Sequence, residues 1–127
     1  MSALYAVNST GQLLAENSQI PFGSVVRRCG CDCQLDGDSI TLLGTGYYDV
    51  DISLSTAPSA EGDISIQLYK DGIAVQGATA TVTAAAGGDA VNLHVNCVVR
   101  NCCCNSTLSL YATAAHTPIN MATVVRG

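Results

Sequence analysis

The sequence contains few charged residues, and basic residues are especially scarce. Of its 127 residues 12% are charged, the net charge is −5, and Lys70 is the single lysine beside four arginines. Without a basic patch the chain lacks the positive field that attracts phosphate groups, so neither nucleic acid nor an anionic membrane surface is an expected partner. No apolar stretch approaches the roughly 20 residues of a transmembrane helix, so no membrane span is expected.

Motifs of catalysis and of export are also missing. The chain has no Gly-x-Ser-x-Gly nucleophile elbow, no phosphate-binding loop and no dinucleotide fingerprint. Asp49 and Asp51 do not follow a calcium-loop spacing, and a solvated acidic face is the favoured interpretation. The sequence therefore predicts a non-enzymatic protein without a cofactor. Residues 1–5 have neither the basic nor the apolar region of a secretion signal, so synthesis in the cytoplasm without such a signal is expected.

The residues that are present favour a folded β protein. Apolar residues make up 48% of the chain and are mostly small or β-branched, with no tryptophan and one phenylalanine. A chain of 13.0 kDa can bury a core of its own, so residues 1–127 are expected to form a single domain.

Apolar residues alternate with polar ones along most of the chain. In the segment 47–54 the apolar residues from Tyr48 to Leu54 fall on one side, as in a half-buried strand. The segment 70–72 has the composition of a hairpin turn, and the segment 57–62 that of a loop. The predicted strands are residues 3–8, 19–28, 39–43, 47–54, 64–68, 78–84, 91–97, 107–113 and 119–125. Strands at this spacing predict an all-β antiparallel two-sheet sandwich or jelly roll with about ten strands.

Three segments resemble the C1q/TNF-like family of jelly-roll domains. In the segment 46–54, Gly46 and Tyr47 open an alternating strand that is similar to the central strand of these domains. The segment 66–72 is similar to the following hairpin, and the segment 119–126 to the last strand. In particular, the chain resembles the small domains of bacterial surface proteins and bacteriophage structural proteins. It lacks the collagen stalk and most of the aromatic core of the animal members, which argues against receptor signalling.

This resemblance implies a jelly roll of about ten antiparallel strands that assembles as a compact homotrimer around a threefold axis. Tyr47, Tyr69 and Tyr111 alternate with the aliphatic residues of their strands, so their side chains are expected on outer faces. Tyrosine is enriched in protein interfaces, which makes these three residues candidates for contact with a neighbouring subunit. The ordinary alternative is that they lie half-exposed on a β surface.

Seven cysteines are the most unusual feature of the sequence. They form two clusters and one separate position: Cys29, Cys31, Cys33, Cys97, Cys102, Cys103 and Cys104. The first cluster points three thiols in one direction if it is an extended strand, whereas three consecutive cysteines indicate a loop. Disulfide bonds are the favoured interpretation, and the odd number leaves at least one thiol free or bonded to another chain.

Two other interpretations of the cysteines stay open. One is a thiolate metal site, but the spacings are irregular for a tetrahedral zinc site, His94 should face away from Cys97 on a strand, and His116 is distant in sequence. The other is a set of small thiols without any bond. Disulfides need an oxidising environment. A protein without an export signal meets one if it folds reduced inside the cell and is released by lysis, as components of virions and spore surfaces are.

The expected function is that of a structural protein on a surface. The first candidate is the homotrimeric knob of a phage particle, as a decoration, fibre or attachment protein. One alternative is a bacterial spore or cell-surface appendage subunit that is polymerised by intermolecular disulfides. Another is a small carbohydrate-binding module, because jelly rolls often bind sugars. The expected partners are other copies of the chain and the particle or cell surface.

Overall fold

The structure is a computed structural model that describes residues 3–9, 11–30, 32–101 and 105–127. Within these ranges the regular structure consists of eleven β-strands, so the predicted all-β class is confirmed. The strands are β1 (Ala3–Asn8), β2 (Ser18–Ile20), β3 (Ser24–Cys29), β4 (Cys33–Asp36), β5 (Ser39–Leu42), β6 (Gly46–Pro58), β7 (Gly62–Lys70), β8 (Ile73–Ala84), β9 (Val91–Asn101), β10 (Ser106–Ala112) and β11 (His116–Arg126).

The strands form two antiparallel sheets that pack face to face. One sheet has five strands in the order β3-β1-β11-β6-β9. The other has the order β4-β5-β10-β7-β8, and β2 pairs with β10 as its sixth strand. This is the two-sheet jelly-roll sandwich that the sequence predicts.

The core lies between the sheets and consists of alternate residues from facing strands. On β6, Val50 and Ile52 are fully buried, while Asp51 between them lies on the outer face. On β7, Ile66 and Leu68 are buried in the same way. Side chains of a strand point alternately to its two faces, so a period of two places an apolar row between the sheets and a polar row outside.

The hairpin predicted at residues 70–72 is confirmed. Asp71 and Gly72 join β7 to β8, and both have a positive φ, 53° and 81°. Two successive residues of this kind form a type I′ turn, whose twist matches that of the paired strands. The Asp71 carboxylate accepts a hydrogen bond of 2.9 Å from the Thr107 backbone N–H, which ties the turn to β10.

The prediction of one strand over residues 19–28 is wrong. The chain forms β2 in the six-stranded sheet, crosses the end of the sandwich, and forms β3 in the five-stranded sheet. Pro21 has no N–H for a sheet ladder, and Phe22 is fully buried between the sheets. The Asn8 side chain donates a hydrogen bond of 2.9 Å to the Pro21 carbonyl and holds the crossing in place.

Other boundaries also differ from the prediction. For example, β8 begins at Ile73 rather than at residue 78, and β9 ends at Asn101 rather than at residue 97. The segment 57–62, predicted as a loop, is shorter, because β6 runs to Pro58 and β7 begins at Gly62. Pro58 pairs with His116 on β11, so cross-strand pairing overrides the turn-like composition. The sequence does not predict β4, because its four residues begin with the last cysteine of the first cluster and end directly before the turn glycine Gly37.

Many strand ends meet at one end of the sandwich, here called the cysteine end. The antiparallel register aligns the ends of β1, β3 and β11, and likewise those of β6 and β9. In the other sheet the ends of β4, β5 and β10 are aligned. The residues at these ends are Ala3, Cys29, Cys33, Leu42, Gly46, Asn101, Ser106 and Arg126.

Candidate assembly surface

Exposed apolar side chains lie mainly on the five-stranded sheet. Among the described residues eight large apolar side chains are exposed, and six of them belong to strands of this sheet. The six are Tyr5, Val25, Val26, Tyr47, Val98 and Ile119. Most of the large exposed apolar side chains thus belong to strands of one sheet, which makes this sheet the candidate assembly surface.

A groove of about 350 Å³ lies at the seam between the sheets, where β8 begins and β9 ends. It is lined by Ile73 and Val98, whose side chains are 73% and 63% exposed. Lys70 and Arg100 also line it. The seam groove therefore offers a second apolar surface, which continues the five-stranded sheet beyond its edge strand β9.

Strands β11, β6 and β9 of the five-stranded sheet carry a hydrogen-bonded polar strip. His94 Nε2 lies 2.5 Å from Asp51 Oδ1. Asp49 accepts hydrogen bonds from the Arg126 guanidinium and the Asn96 amide, each at 3.3 Å. Both carboxylates thus have partners within the sheet face itself. A second subunit could cover the strip without leaving either carboxylate unpaired, which limits the cost of desolvation.

The three tyrosines do not form one patch. Tyr47 is 68% exposed on the outer face of the five-stranded sheet, with the Arg100 guanidinium 5.9 Å from its ring centroid. Tyr69 and Tyr111 lie on the other sheet, with ring centroids 5.2 Å apart and planes at 85°. Contact of any of the three with a neighbouring subunit stays a prediction.

The described cysteines have three different environments. Cys29 is exposed at the end of β3, Cys33 is buried at the start of β4, and Cys97 is partly buried on β9. The segment 29–33 is not one extended strand, because β3 and β4 belong to different sheets. Cys29 and Cys33 therefore do not share one strand face, as an extended cluster would require. Cys31, Cys102, Cys103 and Cys104 lie outside the described residues.

Hydrogen bonds join the segments that flank the two cysteine clusters. The Asn101 amide donates to the carbonyls of Leu42 and Gly44, at 3.2 and 2.9 Å. The Ser106 hydroxyl donates to Asn101 Oδ1 at 2.9 Å. Leu42 also pairs with Cys33 on β4. Both clusters are thus attached to a single hydrogen-bonded end of the sandwich.

Burial suppresses the acidity of two thiols. Desolvation raises the pKa of Cys33, although the Arg28 guanidinium opposes this effect. Desolvation also raises the pKa of Cys97, and the Asp49 carboxylate adds to it. A thiol with a raised pKa stays protonated at neutral pH and is a weak nucleophile. Among the described residues, no three His, Cys, Asp or Glu side chains are grouped so that they could hold a metal ion.

A buried histidine at the start of β11 is the polar group that sequence reasoning missed. His116 is fully buried, and its Nδ1 lies 2.6 Å from the Thr56 hydroxyl. Its Nε2 has no hydrogen-bond partner among the described residues. Desolvation lowers the pKa of His116, because burial disfavours the charged imidazolium. Nothing in the local sequence marks this histidine, since its burial depends on pairing with the distant strand β6.

The protein is expected to lose stability as the pH falls below about 6.5, the ordinary histidine pKa. There the unfolded chain binds a proton at His116 more readily than the folded protein does, so the free energy of unfolding falls by up to about 1.4 kcal/mol per pH unit. Urea unfolding between pH 7.5 and 5.5 should show a smaller decrease in stability for His116→Gln than for the wild type. The control His94→Gln changes an exposed histidine and should retain the wild-type decrease. Equal decreases in the two variants would contradict this assignment.

Comparison with known proteins reveals a structural likeness without a sequence likeness. No protein-family model matches the chain, and neither does any curated protein. Murine APRIL resembles it with a TM-score of 0.76 at 11% identity, over 99% of this chain and 98% of APRIL. The globular domain of zebrafish complement 1qA has a TM-score of 0.66 at 11% identity, over 98% and 94% of the two chains. The PRD1 vertex protein P5 has a TM-score of 0.65 at 15% identity, again over 98% and 94%.

These likenesses define the class of fold. The chain has the C1q/TNF-like jelly-roll fold, as the resemblance of the segments 46–54 and 66–72 predicts. At such low identities the likeness shows the fold alone, because one fold serves many functions. The similar proteins are a cytokine, a complement domain and a phage structural protein rather than enzymes. In the described ranges no helix has the length and apolarity needed to cross a membrane.

Proposed function

We propose that residues 1–127 form one non-enzymatic structural domain, the homotrimeric knob of a phage particle that serves as a decoration, fibre or attachment protein. The observation that carries this proposal is the concentration of exposed apolar side chains on the five-stranded sheet. The fold shared with the PRD1 vertex protein P5 supports a place on a particle. Such a protein would fold in the reducing cytoplasm and would meet an oxidising environment when the host cell lyses.

Two different apolar surfaces favour a ring of subunits over a twofold dimer. One is the outer face of the five-stranded sheet, where Tyr5 and Tyr47 are exposed, and the other is the seam groove around Ile73. If the seam of one subunit packs on the sheet of the next, every subunit uses both surfaces, and such a heterologous contact can close into a ring. The C1q/TNF-like resemblance implies a ring of three. Val98 lies where the two surfaces adjoin, so the proposed contacts would remove it from water.

Disulfide bonds would strengthen the assembly after its release from the cell. Both cysteine clusters are attached to the cysteine end, so bonds between them would close a long loop and restrict the unfolded chain. Cys29 is exposed on the edge strand β3, where a second chain can reach its thiol. The disulfide bonds would thus stabilise covalently a trimer that apolar contacts have already formed.

Sedimentation of the purified protein with and without reductant tests this proposal. A trimer of about 39 kDa, three times the chain mass of 13.0 kDa, is expected in both conditions, because apolar surfaces hold the subunits together. On a denaturing gel run after thiol blocking, we expect bands that shift when reductant is added. A stable 13 kDa species at micromolar concentration would contradict the trimer, and a gel pattern unchanged by reductant would contradict the disulfides.

The same gel separates the knob from a polymeric appendage. The exposed thiol of Cys29 on an edge strand favours an appendage subunit as the second candidate. A ladder of disulfide-linked species, with insoluble fibres in the absence of reductant, would support the appendage. A gene that lies among head or tail genes would support the phage particle.

A further inference from the structure

A second groove, of about 290 Å³, lies on the outer face of the six-stranded sheet. β7 contributes Gln67 and Tyr69, β10 contributes Ser109 and Tyr111, and the connection from β1 to β2 contributes Asn17. Tyr69 pairs with Ser109, two positions from Tyr111, so the two tyrosines are diagonal neighbours across the strands. We call this site the tyrosine groove.

The two rings in the tyrosine groove are arranged so that they do not cover each other fully. The planes of Tyr69 and Tyr111 are at 85°, and their centroids are 5.2 Å apart. In such an edge-to-face pair, the ring that contributes its edge keeps both of its own faces uncovered by its partner. One ring of the pair therefore has a face available for a ligand, and the edge-to-face contact between the rings holds both in their orientation.

Polar groups of the groove are available for hydrogen bonds. Gln67 Nε2 donates to the carbonyls of Leu68 and Val75, both at 2.8 Å, so the amide is fixed and its Oε1 is the acceptor left for a ligand. The hydroxyls of Tyr69 and Tyr111 have no hydrogen-bond partner among the described residues. A polar ligand could thus bond to the groove without displacing a hydrogen bond of the protein.

The described residues that line the groove include no charged side chain. Lys70 and Asp71, at the turn that follows β7, form an ion pair with each other at 3.8 Å. An ionic ligand would lose its hydration in the groove without gaining a counter-charge, which is unfavourable. The matching ligand is therefore neutral and rich in hydroxyl groups.

The surroundings of the groove do not resemble the centre of a subunit contact. The outer face of the six-stranded sheet is dominated by hydroxyl side chains, such as Ser65 and Thr81, which bond to each other at 2.6 Å. Six of the eight large apolar side chains that are exposed among the described residues belong to strands of the opposite sheet. The tyrosine groove therefore fits a small polar ligand better than it fits the apolar core of an interface.

We propose that the tyrosine groove binds a neutral pyranose unit of a glycan. The C–H face of the sugar would stack on a tyrosine ring, whose face is electron-rich, and the sugar hydroxyls would bond to Gln67 Oε1 and to the hydroxyls of Ser109 and Tyr111. The groove volume is near the lower limit of small-molecule sites, about 300–1,000 Å³, which suits a single sugar ring. The inference gives the molecule an adhesive function that does not depend on the trimer.

Saturation-transfer NMR tests the proposal, with the methyl glycosides of glucose, galactose and mannose and with N-acetylglucosamine as probes. At least one probe is expected to receive saturation at millimolar concentration. Tyr69→Ala and Tyr111→Ala are expected to weaken its binding by about tenfold or more, because each removes a ring from the groove. Tyr111→Phe keeps the ring and its packing, so it should fold normally and lose less affinity. The matched control is Tyr47→Ala on the opposite sheet. It should bind the sugar as the wild type does whatever its sedimenting mass, because the groove is lined by residues of one subunit.

Three results would overturn the proposal. The first is no transfer to any of the four probes together with silence on a glycan array. The second is an equal loss of affinity in Tyr47→Ala. The third is a change in sedimenting mass in Tyr69→Ala without sugar binding by the wild type, which would make the pair a subunit contact. Sugar binding by a protein that sediments as a monomer would instead reject the trimer and leave this inference intact.

Discussion

Replacing Val98 with aspartate is expected to convert the trimer into folded monomers. Val98 is 63% exposed, lies on the edge strand β9 and lines the seam groove, so the proposed contact would remove it from water. A carboxylate at this position would face Asp49 on β6, and burial would strengthen their repulsion. The dissociation constant should rise by about 100-fold or more. Sedimentation at a fixed protein concentration would then give a mass near 13 kDa instead of 39 kDa.

Leu13 provides a matched control for this variant. Its side chain is also 63% exposed, but it lies in the connection between β1 and β2. Leu13→Asp adds the same charge to an equally exposed position, so it should remain trimeric. Circular dichroism should be unchanged in both variants, since neither side chain belongs to the core. Equal dissociation of the two variants, or a trimeric Val98→Asp, would contradict the proposed contact.

Replacing Gly23 with alanine is expected to destabilise the fold more than the same replacement at any other turn glycine that the structure describes. Gly23 has a φ of 91°, and a Cβ atom there would lie 2.2 Å from the Val7 carbonyl oxygen and 2.7 Å from the Asn8 Cα. The left-handed backbone costs roughly 1–2 kcal/mol for a residue with a side chain. The collision with the backbone of β1 adds roughly 1–3 kcal/mol, because that strand is fixed by pairing on both sides.

Gly37 separates the two contributions. It also has a positive φ, 61°, but a Cβ atom there would meet nothing within 4 Å. Gly37→Ala should therefore show the conformational cost alone. In urea unfolding, the free energy of unfolding of Gly23→Ala should be lower than that of Gly37→Ala by the cost of the collision. Similar unfolding midpoints for the two variants would show that β1 can move away from the crossing segment.

The strands that could be predicted are those whose two faces meet different surroundings. The row from Tyr48 to Leu54 alternates because one face of β6 meets the opposite sheet and the other meets solvent. The segment 19–28 also has strand composition, but its two halves pair with β10 and β1, which are remote from each other in the sequence. Local composition therefore predicts that these residues are extended and does not predict which sheet they join.

Features of the candidate sites could be predicted only where they depend on a single strand. Alternation places Tyr69 and Tyr111 on outer faces, but their contact depends on the register of β7 against β10. The attachment of both cysteine clusters to one end depends in the same way on β5, which pairs with β4 through Cys33 and with β10 through Ser106. Such neighbours arise from non-local pairing, which has no signature in a short window of sequence.

The pairing of β1 with β11 determines how the sandwich would respond to mechanical load. Ala3 lies opposite Arg126, so both ends of the described chain leave from the same side of the molecule. A force that separated these two ends would peel the ladder apart one hydrogen bond at a time, since the bonds of an antiparallel pair run perpendicular to the strands. A force between one end and the distant loops would load all six residue pairs of this ladder in shear at once. A tether at a single terminus, with tension applied at the far loops, is therefore the arrangement in which this sandwich resists pulling best.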